Sequence, residues 1–237
     1  MAAYVLDCET TGFTPPVEPV AIAIGRSTLF DVGRSIRNVD SLAEAKTTWY
    51  RPTKPIECGA MATHKIIFED LTEYEPFSCF ALPDDCEFLI GHNVDFDWKL
   101  IGAPHVKRIC TFALARSIWP DADSHSLAAL QFLLRSSHGA ARAAIADAHS
   151  AICDIYNSAY VLSRCRDVLG VDDWHALWLA SERARIPTVM PFGKHKGTRI
   201  NDMPRDYVRW LLAQEIDDPY LRKALEAAPM PKKGRAT

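Results

Sequence analysis

Five residues of types that bind metal ions and move protons stand in three separate frames of this chain. Asp7 and Glu9 lie in Val5-Leu6-Asp7-Cys8-Glu9-Thr10-Thr11-Gly12, Asp97 lies in Gly91-His92-Asn93-Val94-Asp95-Phe96-Asp97, and His149 and Asp154 lie in Asp147-Ala148-His149-Ser150-Ala151-Ile152-Cys153-Asp154. Core packing has no use for such an order. Brought together, the four carboxylates and the imidazole would hold two divalent metal ions beside a general base.

Side chains two apart on a strand share a face. Asp7 and Glu9 are therefore expected to project together from the end of a buried strand begun by the apolar run Ala3 to Leu6, with Cys8 on the other face. Two neighbouring carboxylates in a low-dielectric site cost on the order of several kcal/mol if left unpaired. A hard cation with oxygen ligands relieves that cost, while acids facing water at an exposed strand end are the plain alternative. Thr10, Thr11 and Gly12 then offer hydroxyls, backbone N–H groups and a permissive glycine suited to the end of a polyanion. Phe13 follows as a base-stacking or duplex-wedging aromatic, or as a partly buried loop residue.

In the second frame, Phe96, Leu100 and Ile101 fall at helical spacing, which predicts a short helix over 94–101 after a strand at 87–91. Asp97 on its first turns could face the first strand. Asp95 reads as a first-turn acid that complements the helix dipole, and His92 as a hydrogen-bonding loop residue. In the third frame, residues five apart on a regular helix differ by about 140° in direction. His149 and Asp154 can converge only if the helix through Ile152, Ile155, Tyr156, Ala159 and Leu162 starts near His149, with the imidazole on the lead-in and Asp154 fixed inside.

The three frames D-x-E-T-T-G, H-N-x-x-F-D and H-x-A-x-x-D, in this order, resemble the exonuclease motifs of the DEDDh 3′–5′ exonucleases, the group with ribonuclease T, oligoribonuclease and the proofreading subunit of bacterial DNA polymerase III. The resemblance covers roughly residues 1–170 and extends to Ala60-Met61-Ala62-Thr63-His64-Lys65-Ile66 and His125-Ser126-Leu127-Ala128-Ala129-Leu130. It implies metal ligands at Asp7, Glu9, Asp97 and Asp154, a general base at His149, two Mg²⁺ or Mn²⁺ ions, and release of nucleoside 5′-monophosphates from DNA 3′ ends, single-stranded or duplex, as in DNA repair. His64 and Asn93 join Thr10, Thr11, Gly12 and Phe13 as candidate contacts to nucleic acid. RNA 3′ ends, a proofreading role and a non-catalytic scaffold on the same fold are the alternatives, and a homodimer stays open. One departure is Ala21, at a second-strand position where the family usually carries an acid, with Glu18 displaced and followed by Pro19.

At 237 residues and 48% hydrophobic content the chain suits one catalytic domain plus an appendage. No apolar run is long enough to span a membrane and the first strand begins at once, so a cytoplasmic location without a signal peptide is expected. Seven cysteines without a C-x-x-C pair read as reduced thiols. The net charge of −3 hides an asymmetry, because residues 186–237 hold ten lysines or arginines against six acids, whereas residues 1–185 hold seventeen against twenty-four. Phosphate attraction is thus expected to depend on the metals and on the C-terminal part.

Strand-like runs at 20–25, 27–32, 46–50, 87–91 and 106–110 alternate with helical periodicity near 75–82, 94–101, 111–118, 125–135 and 148–169. An α/β fold with a mixed sheet flanked by helices, in the manner of ribonuclease H, is predicted for 1–170. Residues 171–187 read as a connecting helix and linker, 188–228 as a small module, and 229–237 as a disordered tail. In the module, Phe192-Gly193-Lys194-His195-Lys196-Gly197 forms a turn whose Lys194 and Lys196 either meet phosphate or are simply solvated, followed by a helix from Pro204 through Leu212.

Overall fold

A computed structural model describes residues 2–31 and 42–228. The expected tail at 229–237 and residue 32 of the expected strand at 27–32 lie outside the described residues. Ala2–Thr10 forms β1, Pro19–Ser27 β2, Leu42–Trp49 β3, Cys86–Gly91 β4 and Lys107–Cys110 β5. The five strands lie in the order β3-β2-β1-β4-β5. β1, β2 and β3 make an antiparallel meander, while β1–β4 and β4–β5 pair in parallel. The helices are α1 (Cys58–His64), α2 (Asp95–Leu100), α3 (Thr111–Ile118), α4 (Leu127–Leu134), α5 (His138–Ala144), α6 (Ala151–Leu169), α7 (Trp174–Ala184), α8 (Arg205–Leu212) and α9 (Pro219–Ala227). The architecture is the mixed sheet flanked by helices that the sequence predicts.

β1 is the central strand and is apolar on both faces through Leu6, as burial on both sides demands. It keeps one register with β2 through Glu9 and shifts only between Glu9 and Thr10, so Asp7 and Glu9 are paired strand residues and not a frayed end. Directly across on β2 stand Ala23 and Ala21, whose small side chains share the face of the two acids. That pairing fixes the register of the second strand. α6 packs across β1, β2 and β3. Its Ile155, Ala159 and Leu162 are buried, and Gly170 ends it in a left-handed C-cap.

Two local expectations are corrected. β2 runs unbroken to Ser27 with an irregularity between Ile24 and Arg26, and residues 28–31 form a turn closed by Asp31 N–H to Thr28 O, so there is no separate strand from 27. The helix expected at 75–82 is a 3-10 turn at Phe77–Cys79 between Pro76 and Pro83, because Phe77 and Phe80 both pack edge-on against Tyr50. α1 and α5, short helices of seven residues each, carry too few periods to be read from sequence.

The chain divides into two compact units, Met1–Ser181 and Glu182–Thr237. The division falls inside α7, within the range 171–187 expected to connect the two parts. In the first unit Trp174 meets Phe30 edge-on at 4.7 Å and stacks on Phe88, Leu177 is fully buried, and the Ser181 hydroxyl accepts from Cys110 N–H. The second unit has its own core of Met190, Ile200, Met203, Val208, Leu211, Leu221 and Leu225. Among the described residues, no helix is long and apolar enough to cross a membrane.

Candidate active site

The acid face of β1 and the start of α6 bring three carboxylates together. One oxygen from each of Asp7, Glu9 and Asp154 lies within 4.8 Å of the others. Asp154 is reached across 147 residues of chain because α6 lies over β1. Its carboxylate also takes a hydrogen bond from the His149 backbone N–H. His149 sits two residues before α6 with φ of 66°, in the left-handed region that histidine tolerates better than most residues. The five-residue interval to Asp154 requires the histidine to stand off the helix. The left-handed turn is how the chain does it, and the imidazole is exposed.

Asp97 is placed differently. It is 5% exposed on the first turns of α2 and accepts a 3.1 Å hydrogen bond from Cys8 N–H. It stands outside the converging group of three, yet its charge reaches Asp7 and Glu9. The electrostatics follow from burying like charges. Burial, then Asp97, Asp154 and Glu9, push the Asp7 carboxyl well above the carboxylate range. Burial and the charges of Asp154 and Asp97 raise Glu9 to about 8. Burial raises Asp97 to about 7 against the Cys8 hydrogen bond, and burial raises Asp154 against the pull of His149. A set of oxygen donors this crowded and this reluctant to ionise alone is the donor chemistry that a divalent cation satisfies.

The loop after β1 is held by its own hydrogen bonds. Thr11 is fully buried and Thr10 nearly so. The Thr11 hydroxyl accepts from Glu18 N–H, the Thr10 hydroxyl donates to Gly12 O, and Gly12 itself is buried. Thr10, Thr11 and Gly12 thus build the loop and are hydrogen-bonded within it. Glu57, which nothing in the sequence singles out, accepts from both Phe13 N–H and Thr14 N–H, while Lys54 Nζ donates to Thr14 O and Pro16 O. Gly12 has φ of 131°, and a Cβ there would fall 2.2 Å from Glu57 Cδ, so only glycine fits. No local signal ties Glu57 to a loop more than forty residues upstream. Thus braced, the loop presents Phe13, 82% exposed, with its ring 6.1 Å from that of Phe96.

His64 uses both ring nitrogens on backbone. Nδ1 accepts from Ile66 N–H, which leaves Nε2 to donate to Thr10 O at 3.0 Å. Burial and nearby His149 hold its pKa down. Asn93 is exposed on the turn before α2 with φ of 72°, a conformation asparagine favours. His92 is held by Thr111 Oγ1 and His125 O, and burial pushes it down to about 4. Asp95 does more than complement the helix dipole, since it pairs with Arg108, whose guanidinium lies over Trp98 at 3.9 Å. Lys194 and Lys196 are exposed in the second unit.

Comparison with known proteins agrees with this arrangement. Exodeoxyribonuclease 10 of Escherichia coli K12 is 30% identical over 188 residues, which span 74% of this chain and 80% of that protein. The fold is similar to that of exonuclease X in complex with 5′ overhanging duplex DNA, with a TM-score of 0.58 at 21% identity over 76% of this chain and 99% of that one. It is also similar to E. coli exonuclease I in complex with a dA16 oligonucleotide, with a TM-score of 0.52 at 15% identity over 80% of this chain and 46% of that one. Residues 183–228 match the family model described as "Putative quorum-sensing-regulated virulence factor". With the three motifs in order and this identity over most of a curated relative, the chain belongs to the DEDDh 3′–5′ exonuclease family, alongside exodeoxyribonuclease X.

Proposed function

We propose that the protein hydrolyses the 3′-terminal phosphodiester of DNA and releases nucleoside 5′-monophosphates one at a time. The convergence of Asp7, Glu9 and Asp154 within 4.8 Å, beside an exposed histidine, supports this reading. These three would hold a divalent cation, Mg²⁺ or Mn²⁺, and Asp97 would contribute to a second. Such ions, when bound, polarise the phosphoryl group and favour ionisation of water.

The chain's own residues supply the rest. His149, held at the mouth of the site by its backbone bond to Asp154, accepts a proton from the attacking water. Asp97, fixed by Cys8 N–H, keeps negative charge beside Asp7 and so favours cation binding over an empty cluster. Phe13 stacks on the terminal base from its braced loop, a contact that tolerates any sequence.

A time course on 5′-labelled single-stranded DNA and RNA of matched sequence, with Mg²⁺, with EDTA and with Asp7→Ala, tests the activity. A metal-dependent ladder shortening from the 3′ end of DNA is expected. A ladder on RNA alone would move the activity to RNA 3′ ends, and binding without any ladder would leave a scaffold. Stacking is worth about 1–3 kcal/mol per base, so Phe13→Ala should raise KM on single strands and recessed duplexes by roughly tenfold or more. Unchanged kinetics on both substrates would remove Phe13 from substrate binding.

A further inference from the structure

The C-terminal unit carries a row of aromatic rings of which Trp210 and Phe192 stand exposed outside its core. α8 turns Val208 and Leu211 inward onto Met190, Ile200, Met203 and Leu221. Tyr207, half-buried, packs against that core and meets Trp210, which is 54% exposed, with the two tilted rings 5.4 Å apart between centroids. A tight loop closes over the end of this row. Met190 N–H bonds to Thr198 O, Gly197 N–H to Met190 O and Lys196 N–H to Gly193 O, with both glycines at positive φ. This geometry sets the His195 ring edge-on against Tyr207 at 4.4 Å and leaves Phe192 half exposed. A Cβ on Gly193 would stand 3.3 Å from the Tyr207 hydroxyl oxygen, so the loop rests directly on that ring.

Charge accompanies the aromatics. Between residues 192 and 210 the chain places Lys194, Lys196, Arg199, Arg205 and Arg209 against Asp202 and Asp206. Among the described residues none of these five cations is in an ion pair, whereas Arg222 further on pairs with Glu226. The acids of the unit concentrate after α8, at Glu215, Asp217, Asp218 and Glu226. The positive charge is therefore gathered on the loop and α8, where the exposed rings are. Cations outside any ion pair beside the exposed Trp210 and Phe192 rings match a polyanion whose flat groups are free to stack, since each phosphate meets an ammonium or guanidinium while a base meets a ring face. A duplex keeps its bases paired and stacked, and so offers this surface only its phosphates.

We infer that the C-terminal unit holds single-stranded nucleic acid through Trp210, Tyr207 and the Gly193–Gly197 loop, as a binding surface separate from the carboxylate cluster. The inference rests on the proposed activity only for the choice of DNA as probe.

The test is fluorescence anisotropy of the full chain with a labelled single-stranded dT oligonucleotide in EDTA, where no turnover is needed. Trp210→Ala should weaken binding about tenfold at unchanged salt dependence, because one base loses its stacking platform. The double variant Lys194→Glu/Lys196→Glu, at two exposed positions outside the unit's core, should weaken binding and lower the slope of log affinity against log salt by about 1.4, at roughly 0.7 for each phosphate no longer neutralised. Affinity and salt slope equal to wild type in both variants would overturn the proposal. So would a Trp210→Ala protein that melts lower but binds equally, because the ring would then be packing and not a platform. Oligonucleotide binding abolished in these variants, with no hydrolysis by the wild type, would sink the proposed activity alone. Hydrolysis with affinity unchanged in every variant would sink this inference alone.

Discussion

Asp7→Asn is expected to cut nucleotide release about a thousandfold or more and, at the same time, to raise the melting temperature of the metal-free protein. Loss of a group that organises metal-assisted hydrolysis removes several kcal/mol of transition-state stabilisation, at about 1.4 kcal/mol per tenfold. The stability gain has a definite sign. Asp7, Glu9, Asp97 and Asp154 all have folded pKa values above their ordinary range, with Glu9 at about 8 and Asp97 at about 7. The unfolded chain releases these protons near pH 4, whereas the metal-free fold keeps them to higher pH. Stability from this cluster is therefore greatest in acid and is lost as pH rises from about 4 to 8.

Asparagine has no proton to hold and relieves its neighbours of one charge. The advantage of Asp7→Asn in EDTA should accordingly be small at pH 5 and reach about 1–3 kcal/mol at pH 8, or several degrees for a domain of this size. Comparing variant with wild type cancels groups such as His92, which titrate in both. Added Mg²⁺ should reverse the order, because only the wild type gains ligand-binding free energy. A variant that melts below wild type in EDTA at pH 8, or that responds to Mg²⁺ as wild type does, would show that these carboxylates are not a strained metal cluster.

His149→Ala is expected to lower kcat by about 10²–10⁴, the usual worth of a general base, with the Mg²⁺-induced rise in melting temperature kept. The two readouts separate roles that proximity alone confuses. His149 is exposed and off the helix, outside the three oxygens that converge, and its side chain packs into no core cluster. Its removal should therefore spare both the fold and the cation. If the Mg²⁺ response disappears with the activity, His149 is a ligand and the proton acceptor must be sought elsewhere. Its left-handed backbone makes a second point, since His149→Gly should keep the turn while removing the base and thus lose activity without loss of stability.

Much of this site was legible because its information is local. The i, i+2 spacing of Asp7 and Glu9 on a strand, the helical spacing around Asp97, and the mismatch between a five-residue interval and a helix at His149 and Asp154 each depend on a few neighbouring residues. The helix α3 at Thr111–Ile118 was readable for the same reason. The failures are equally local in cause. Pro76 and Pro83 bracket an apolar run that imitates helical spacing, but its rings are claimed by Tyr50, some thirty residues away in sequence. Thr10 and Thr11 look like free hydroxyls until the chain returns through Glu18 and Glu57 to close the loop over them.

The candidate residues, the faces of strand and helix they occupy and the family resemblance were all readable along the chain, because side-chain direction on a strand or helix follows from backbone periodicity alone. Tertiary structure decided which acids actually meet. Laying α6 across β1 joined Asp154 to Asp7 and Glu9 and left Asp97 beside them, tied to Cys8 N–H. It also decided how strongly the acids resist ionisation, that Phe13 and not the threonines faces solvent, and that the second unit begins within α7. Convergence and desolvation depend on residues brought together from far along the chain, and no periodicity in a single segment encodes that distance.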